Sequence, residues 1–544
     1  MNTLVIVQAT QGLCSYLESV VPELKTQGVC IGYDHRARDT YNVSSKGMAE
    51  VAAAVFLSRG VKTYLFSELV HTPLVPYCVT SRKLAAGIMV TASHNPKEDN
   101  GYKVYWSNGA SIVSPHDTNI QAAILGQLEP WEDYAQTIAK GLYTNELCVD
   151  PLVETSQLYF EEMKRKLCRH GPTNAQSKIK VVYTAMHGVG YPYQARAIET
   201  FNLPAVLPVK EQQLPDPTFP TVPFPNPEEA GALDLAKAFS EAEGATLVIA
   251  NDPDADRLAC AERDPTTGVW TVFSGNDIGT LLAAWQWEKH DGSPASVVVS
   301  VVSSKFLKAM GEKEGFGFEE TYTGFKWLCN LAIDVEARGR KCLLAYEQSI
   351  GYSLGDMVRD KDGVSAGAVF VEMATQLEQR GQTCAQYLQS LFEKYGFFHC
   401  QEGYLFVPDP KLMLSAFANL RGGAGIQANI DALLGLVGAM EGANVVRVVD
   451  YTNGYDSSTA DKKSALVAVP ETEHIAATLA NGCTIQIRGS GTEPKLKFYV
   501  EATASQGPQA KSLANEIAVA VAFKLLAPEQ NGFKVPDFVA AFRG

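Results

Sequence analysis

Short apolar runs of five to eight residues, most of them leading into a polar or turn-rich segment, recur through the first two thirds of this 544-residue chain. They are VCIGYD (29–34), KTYLF (62–66), AAGIMV (85–90), KIKVVYTA (178–185), ATLVIA (245–250), SVVVSVV (296–302) and KCLLAYE (341–347). Near-continuous apolar runs of this length read as strands buried on both faces, and the amphipathic stretches between them are long enough for helices. One such stretch is SSKGMAEVAAAVFLSRG (44–60), whose closing glycine suits a helix C-cap. Alternation of this kind predicts α/β units. The last part differs. There CTIQIRG (483–489) and KLKFYVEAT (495–503) read as two strands around a turn, followed by the helix-like QAKSLANEIAVAVAFKLL, so a separate, smaller α+β domain is expected.

The length exceeds what one hydrophobic core serves, so about three to five domains are expected, and the units are expected at 1–170, 171–280, 281–400 and 401–544. The charged segment 161–177 joins the first two units, the Pro-rich 214–229 reads as an ordered but irregular loop, and 397–425, ending in RGGAG, reads as the approach to the last domain. No internal repeat is visible in the letters. With 46 Lys plus Arg against 60 Asp plus Glu, the formal charge is −14. An acidic chain without basic runs is a poor partner for nucleic acid, whose binding rests on phosphate neutralisation. The start, MNTLVIVQATQG, lacks the basic and apolar regions of a signal peptide, and no uncharged apolar run reaches the length of a membrane span. Eleven single cysteines without a C-x-x-C pair suit the reduced thiols of a cytoplasmic protein.

Four loops carry the chemistry. NDPDADR (251–257) places Asp252, Asp254 and Asp256 directly after the run ATLVIA, at the carboxyl end of a strand where open α/β sheets hold their sites. Three such carboxylates repel one another, and a hard cation, Mg²⁺ or Ca²⁺, offsets them unless the loop is simply solvated. An EF-hand is excluded, because its glycine and final glutamate positions hold Arg257 and Arg263. TASHNPKEDNGYKVYW (91–106) follows AAGIMV and exposes the Ser93 hydroxyl among turn-forming residues, with His94, Lys97 and Lys103 nearby. The bland reading of S-H-N-P is an ordinary turn. RGSGTEPK (488–495) combines Arg488, Ser490, Thr492 and Lys495 with Gly489 and Gly491, a set that suits an anion or, alternatively, a plain hairpin turn. It does not match a P-loop. AYEQSIGYSLGD (345–356) offers Glu347 and Ser349 to neighbouring hydroxyls, and TYTGFKW (321–327) places Lys326 in a turn. His187, before the GVG at 188–190, reads as structural.

Four loops in this order, each after a strand, resemble the α-D-phosphohexomutase superfamily; SHNPKEDNGYKVYW, NDPDADRLA, GFKW and DKDGVSA (360–366) most resemble its phosphoglucomutase/phosphopentomutase branch. The resemblance covers essentially the whole chain. It implies four domains around a central cleft, three related α/β units and a smaller α+β fourth. It further implies an intramolecular phosphotransferase that interconverts sugar 1-phosphates with 6- or 5-phosphates of glucose or (deoxy)ribose. A phosphoserine at Ser93 would be the carrier, and a sugar 1,6-bisphosphate or pentose 1,5-bisphosphate the intermediate and activator. By the same resemblance Mg²⁺ is held by Asp252, Asp254, Asp256 and a Ser93 phosphate oxygen, Lys103 is the general acid/base, and His94 and Arg257 are active-site neighbours. Glu347 and Ser349 match the sugar-binding loop, while Arg488, Ser490, Gly491 and Thr492 match the loop that grips the distal phosphate. Two alternatives stand beside the mutase: a glucose-1,6-bisphosphate synthase using the same phosphoserine, and a catalytically weak homologue with a regulatory binding role. The pattern departs from the family at one point. Family chains usually open with a strand bearing an F-G-T-[AS]-G-x-R-like segment, whereas here Met1 leads into TLVIVQATQGLCSYLESV. The expectation is a shortened or late-starting chain, with an exposed edge on the first sheet and one phosphate contact fewer.

Overall fold

The computed structural model describes residues 1–423, 425–435, 444–470, 472–490 and 494–543. They form two compact units: residues 1–303 with 316–388, and residues 304–315 with 389–544.

The first unit holds three large sheets and a small two-stranded one that pairs Ala37–Arg38 with Val43–Ser44. The first comprises β1 (Val29–Tyr33), β2 (Thr63–Leu65), β3 (Ala86–Val90), β4 (Tyr102–Trp106) and β5 (Cys148–Val149), in the order β4-β3-β1-β2-β5. All pairs are parallel except β3 with β4, and every residue of β1 and β3 is buried, as the unbroken apolar runs require. β4 is an edge, paired with β3 alone among the described strands. Helix α1 (Thr3–Val20) packs on α2 (Ser45–Ser58). The Ser44 hydroxyl caps the start of α2. Its end is a Schellman turn: the N–H of Gly60 (φ 72°) donates to Leu57 and that of Val61 to Phe56.

Helix α3 (Leu152–Leu167) leads to the second sheet, formed by β6 (Val181–Thr184), β7 (Leu207–Pro208), β8 (Leu247–Ala250), β9 (Ala259–Arg263) and β10 (Trp270–Val272) in the order β10-β9-β8-β6-β7. Helix α4 (Gly190–Thr200) follows the GVG segment, and 214–229 is an irregular loop. After helix α5 (Gly275–Glu288) comes the third sheet: β11 (Ala295–Ser300), β12 (Gly317–Thr321), β13 (Lys341–Glu347) and β14 (Gly351–Leu354), ordered β12-β11-β13-β14. Helices α6 (Phe325–Ala337) and α7 (Gly363–Gln379) complete it.

The three sheets share one device. In each, a buried strand parallel to the neighbour on one side (β3, β8, β13) runs out into a loop, and the chain returns as an antiparallel strand on the other side (β4, β9, β14). The returning strands YKVYW, ACAER and GYSL are short and mixed in polarity, so the apolar pattern alone does not mark them. Two expectations need correction. Lys326, expected in a turn, lies in the first turn of α6, with Gly324 as the N-cap of that helix. The segment 397–425, read as an approach to the last domain, already contains its first strand.

The second unit carries a fully antiparallel sheet of β15 (Phe397–Phe406), β16 (Val445–Asp450), β17 (Tyr455–Asp456), β18 (His474–Leu479), β19 (Thr484–Gly489) and β20 (Lys495–Ala504), in the order β15-β20-β19-β18-β16-β17. Helix α8 (Gly507–Ala520) packs on β15 and β20, burying Ile517 against a core that includes Ile487 and Phe498. This is the α+β architecture expected of the last part. Among the described residues no helix is long and apolar enough to cross a membrane.

Candidate active site

Ser93 stands on the loop that leaves β3, with its backbone in the left-handed region (φ 52°). A serine keeps that conformation only where its surroundings fix it. Here they do. The Ser93 N–H donates to Thr91 Oγ1 (2.8 Å), and the Asn95 N–H closes a turn on the Ala92 carbonyl (3.1 Å). The buried Arg36 guanidinium donates to the carbonyls of Ser93, Asn95 (2.7 Å) and Pro96 (2.8 Å). At Gly101 the chain passes so close to Thr91 that any side chain would strike the Thr91 carbonyl oxygen. The loop is therefore a rigid platform. From it, Ser93 Oγ donates to Asp252 Oδ2 (2.9 Å) and lies 3.3 Å from His94 Nδ1.

Asp252, Asp254 and Asp256 leave β8 on alternate positions, all fully buried, with ligand oxygens within 4.8 Å of one another. Lys103 is set opposite Met89 in the β3–β4 register, which brings its Nζ to Asp254 Oδ2 (2.8 Å) and Asp256 Oδ2 (2.7 Å). Lys361 Nζ lies 3.0 Å from Asp256 Oδ2, and Thr72 donates its hydroxyl to Asp254 Oδ2. The Arg257 N–H donates to Asp252 Oδ1 (3.0 Å), while its guanidinium faces Glu228 at 3.6 Å. Two carboxylate oxygens, Asp254 Oδ1 and Asp256 Oδ1, are buried with no hydrogen-bond partner. Unpaired buried anionic oxygens are costly, and a divalent cation on this hard-oxygen set would satisfy them.

The electrostatics follow from burial. Burial, then the charges of Asp254 and Asp256, push the Asp252 carboxyl well above its usual range. Burial acts in the same sense on Asp254, but Lys103 and Thr72 outweigh it and pull that carboxyl down. Burial alone would lower Lys103; the charges of Asp254, Asp256 and Asp360 reverse this and hold its ammonium protonated. His94 is driven well below its ordinary value by burial and by Arg257, so its ring is neutral near pH 7.

The third loop joins this cluster through the backbone. Leu258 N–H donates to the Ile350 carbonyl (3.0 Å), and Arg257 bridges to Gly351. Glu347 ends β13 and, with Ser349, is partly exposed beside this bridge; the Glu347 charge is felt at Arg257. Lys326 is exposed, with its ammonium 5.2 Å from the Trp327 ring centre; its neighbour Phe325 receives Lys361 on its ring face at 5.1 Å. The first unit thus brings together Ser93, His94, Lys103, the three aspartates, Arg257 and the 347–351 turn. In the second unit Arg488 lies on β19 opposite His474 and Lys497, and the Ser490 N–H donates to the Lys495 carbonyl (2.9 Å). Gly491 and Thr492 lie outside the described residues. His187 is buried with its Nε2 2.7 Å from Thr221 Oγ1.

Arg36, Thr72 and Lys361 are site residues that sequence reasoning missed. Arg36 had a signal, since GYDHRAR follows β1 and so stands at the carboxyl end of a parallel strand. Lys361 lies in the DKDGVSA segment, between Asp360, which accepts from Tyr105 (2.7 Å), and Asp362, which caps α7.

Comparison with known proteins finds four consecutive family models along the chain. They are the phosphoglucomutase/phosphomannomutase α/β/α domains I (1–130), II (157–268) and III (274–395) and the C-terminal domain of the same family (445–520). The chain is 41% identical over 543 residues to phosphopentomutase from Homo sapiens, covering 97% of this chain and 87% of that one. It is also 41% identical over 546 residues to glucose 1,6-bisphosphate synthase from Homo sapiens, covering 98% and 86%. Among solved structures, the open form of the phosphoprotein parafusin from Paramecium, a phosphoglucomutase, shares the fold at a TM-score of 0.69 and 18% identity, over 97% of this chain and 92% of that one.

Proposed function

The chain belongs to the α-D-phosphohexomutase superfamily and is a sugar-phosphate mutase; on that premise we propose that Ser93 carries the phosphoryl group and that the Asp252–Asp254–Asp256 trio holds Mg²⁺ beside it. One observation carries this reading: Ser93 Oγ donates to Asp252 within a fully buried trio that has two unsatisfied carboxylate oxygens. When bound, Mg²⁺ would draw negative charge from the transferring phosphoryl group.

The remaining work falls to the chain's own residues. In the forward half-reaction the sugar hydroxyl oxygen bonds to phosphorus, the P–Oγ bond to Ser93 breaks, and the hydroxyl proton leaves to a base. The Lys103 ammonium, ten residues after Ser93 and tied to Asp254 and Asp256, gives its proton to the departing Ser93 Oγ and, once neutral, takes the proton of the sugar hydroxyl, so the proton lost by the sugar ends on the serine; the return transfer runs the same exchange in reverse. Arg36 keeps the loop rigid during transfer, and His94 and Arg257 line the same charge-compensated pocket. The product of the first transfer is a sugar bisphosphate, the 1,6- or 1,5-compound according to the sugar, and its other phosphate returns to Ser93. Glu347 and Ser349 receive sugar hydroxyls in both orientations, and Lys326 adds a cation near that turn. Arg488, Ser490, Gly491 and Thr492 keep the phosphate-holding role that their motif implies. Substrates are small phosphosugars, and free thiols on all eleven cysteines go with a cytoplasmic setting.

A coupled assay on glucose 1-phosphate and ribose 1-phosphate, with intact-mass detection of phosphorylation at Ser93, tests this. Ser93→Ala is expected to lose the mass shift and all turnover while circular dichroism is unchanged; a full-rate Ser93→Ala enzyme refutes the covalent role. The second reading, a glucose 1,6-bisphosphate synthase, is favoured by the equally close human synthase. Turnover that needs no added sugar bisphosphate but requires a separate bisphosphate donor would select it.

A further inference from the structure

A cavity of about 680 Å³ opens at the opposite end of the third sheet from Glu347. Its walls come from the segment that precedes β11, the start of β13 and the end of antiparallel β14, together with the ends of α3 and α5. Glu347 closes the other end of β13, roughly 20 Å away at the rise of an extended strand. The cavity is therefore separate from the site built around Ser93.

Its charge is unusual for a chain of formal charge −14. Six lysines and arginines line it against three acids. Each acid already has a cation: Asp291 pairs with Lys341 (2.5 Å), Asp356 with Lys166 (2.7 Å) and Glu336 with Arg359 (2.5 Å). Arg169 and Arg340 have none. Arg169 donates to the Lys289 carbonyl (2.9 Å) and to Gln286 Oε1 (2.7 Å). Arg340 donates to Ser296 Oγ (2.7 Å) and to the Ala295 carbonyl. Neutral oxygens thus orient both guanidinium groups; the charges of Glu372 and Asp291 act on Arg169 from farther off, but no carboxylate among the described residues forms a close ion pair with either group. Gln286 supplies an independent sign: it is 3% exposed and lines the cavity, yet its Nε2 is a buried donor with no acceptor. Leu167, Leu343 and Leu354 give apolar wall, and the volume lies in the range that accommodates an organic ligand rather than a bare ion.

We propose that this cavity is a second, non-catalytic site for a small organic phosphate. Arg169, Arg340 and the Gln286 amide take its phosphoryl group, and its organic body lies on the leucine wall. The proposal does not depend on the phosphoserine reading, because none of these residues belongs to the Ser93 site.

Calorimetric titration of the full-length enzyme with adenosine 5′-monophosphate and with 3-phosphoglycerate tests it, with adenosine and inorganic phosphate as controls. At least one organic phosphate should bind, adenosine should not, and Arg169→Gln/Arg340→Gln should weaken that binding by about tenfold or more while the coupled mutase rate stays at the wild-type value. Should the double variant fold poorly, Lys289→Gln/Lys341→Gln, which alters side chains at the surface, is expected to weaken binding in the same direction. Equal affinity in wild type and variants would place the binding elsewhere and overturn the proposal. So would silence with both organic phosphates up to about 10 mM. Inorganic phosphate binding as tightly as the better organic probe would overturn the assignment to an organic ligand.

Discussion

Arg36 is 1% exposed, and its guanidinium is shared between Asp34 at 3.3 Å on one side and the carbonyls of the Ser93 loop on the other. A planar guanidinium can reach several carbonyls at once; the point-like ammonium of a lysine cannot. Arg36→Lys is therefore expected to leave the fold intact and release the loop, moving Ser93 Oγ off Asp252. Displacements near 1 Å commonly lower transfer rates on the order of a hundredfold, so kcat in the coupled assay should fall by about that factor with unchanged circular dichroism. A wild-type kcat would remove Arg36 from the positioning role. This residue also marks the limit of reading a site from letters. Ser93 and the three aspartates are legible because their meaning is local, a hydroxyl in a turn and carboxylates at alternate positions after a strand. Arg36, Thr72 and Lys361 act on partners far away in the chain (57 residues from Arg36 to Ser93, 182 from Thr72 to Asp254), and no local pattern announces such a pairing.

Between residue and molecule, cross-strand pairs decide how firmly an edge element holds. β16 and β17 form a short antiparallel pair in which Arg447 donates to Asp456, whose carboxyl is pulled down to about 2 by that bond. The folded value lies below the ordinary 3.8, so the pair's stabilisation is present above about pH 4 and is lost as pH falls through about 2. Asp456→Asn should accordingly lower the thermal transition at pH 6 and lose most of that difference by pH 2.5; an equal deficit at both values would assign the effect to packing instead. Other elements divide by how their sequence encodes them. The central strands β1, β3, β8, β11 and β13 are legible because burial on both faces demands an unbroken apolar run. β4, β9 and β14 are not, since each is a short return strand specified by its partner's register rather than by its own pattern. Helix α6 was obscured at its start because a glycine that caps a helix looks, in isolation, like a turn glycine.

For the whole molecule, a cation held by the buried trio, as proposed, would couple to stability. Asp252 is an acid whose folded pKa is raised by burial and by its two neighbours, so its contribution is fully present below its ordinary value of 3.8 and is lost as pH rises through the raised one. Without a cation, ionising Asp252 beside its two neighbours therefore opposes folding, and Lys103 and Lys361 offset only part of that cost. A divalent cation that binds the folded trio alone adds about 2.7 kcal/mol at a hundredfold excess over its Kd, a rise of roughly 5 °C for a large domain. Two compact units make a single two-state transition unsafe to assume, so the quantity to follow is the shift of the lowest thermal transition between chelator and Mg²⁺. Wild type should shift upward. Asp252→Asn, which removes one buried charge yet keeps an oxygen for the Arg257 N–H, should melt no lower than wild type in chelator and gain almost nothing from Mg²⁺. If Mg²⁺ raised that variant as far as wild type, the cation would be stabilising the protein from somewhere other than the three aspartates.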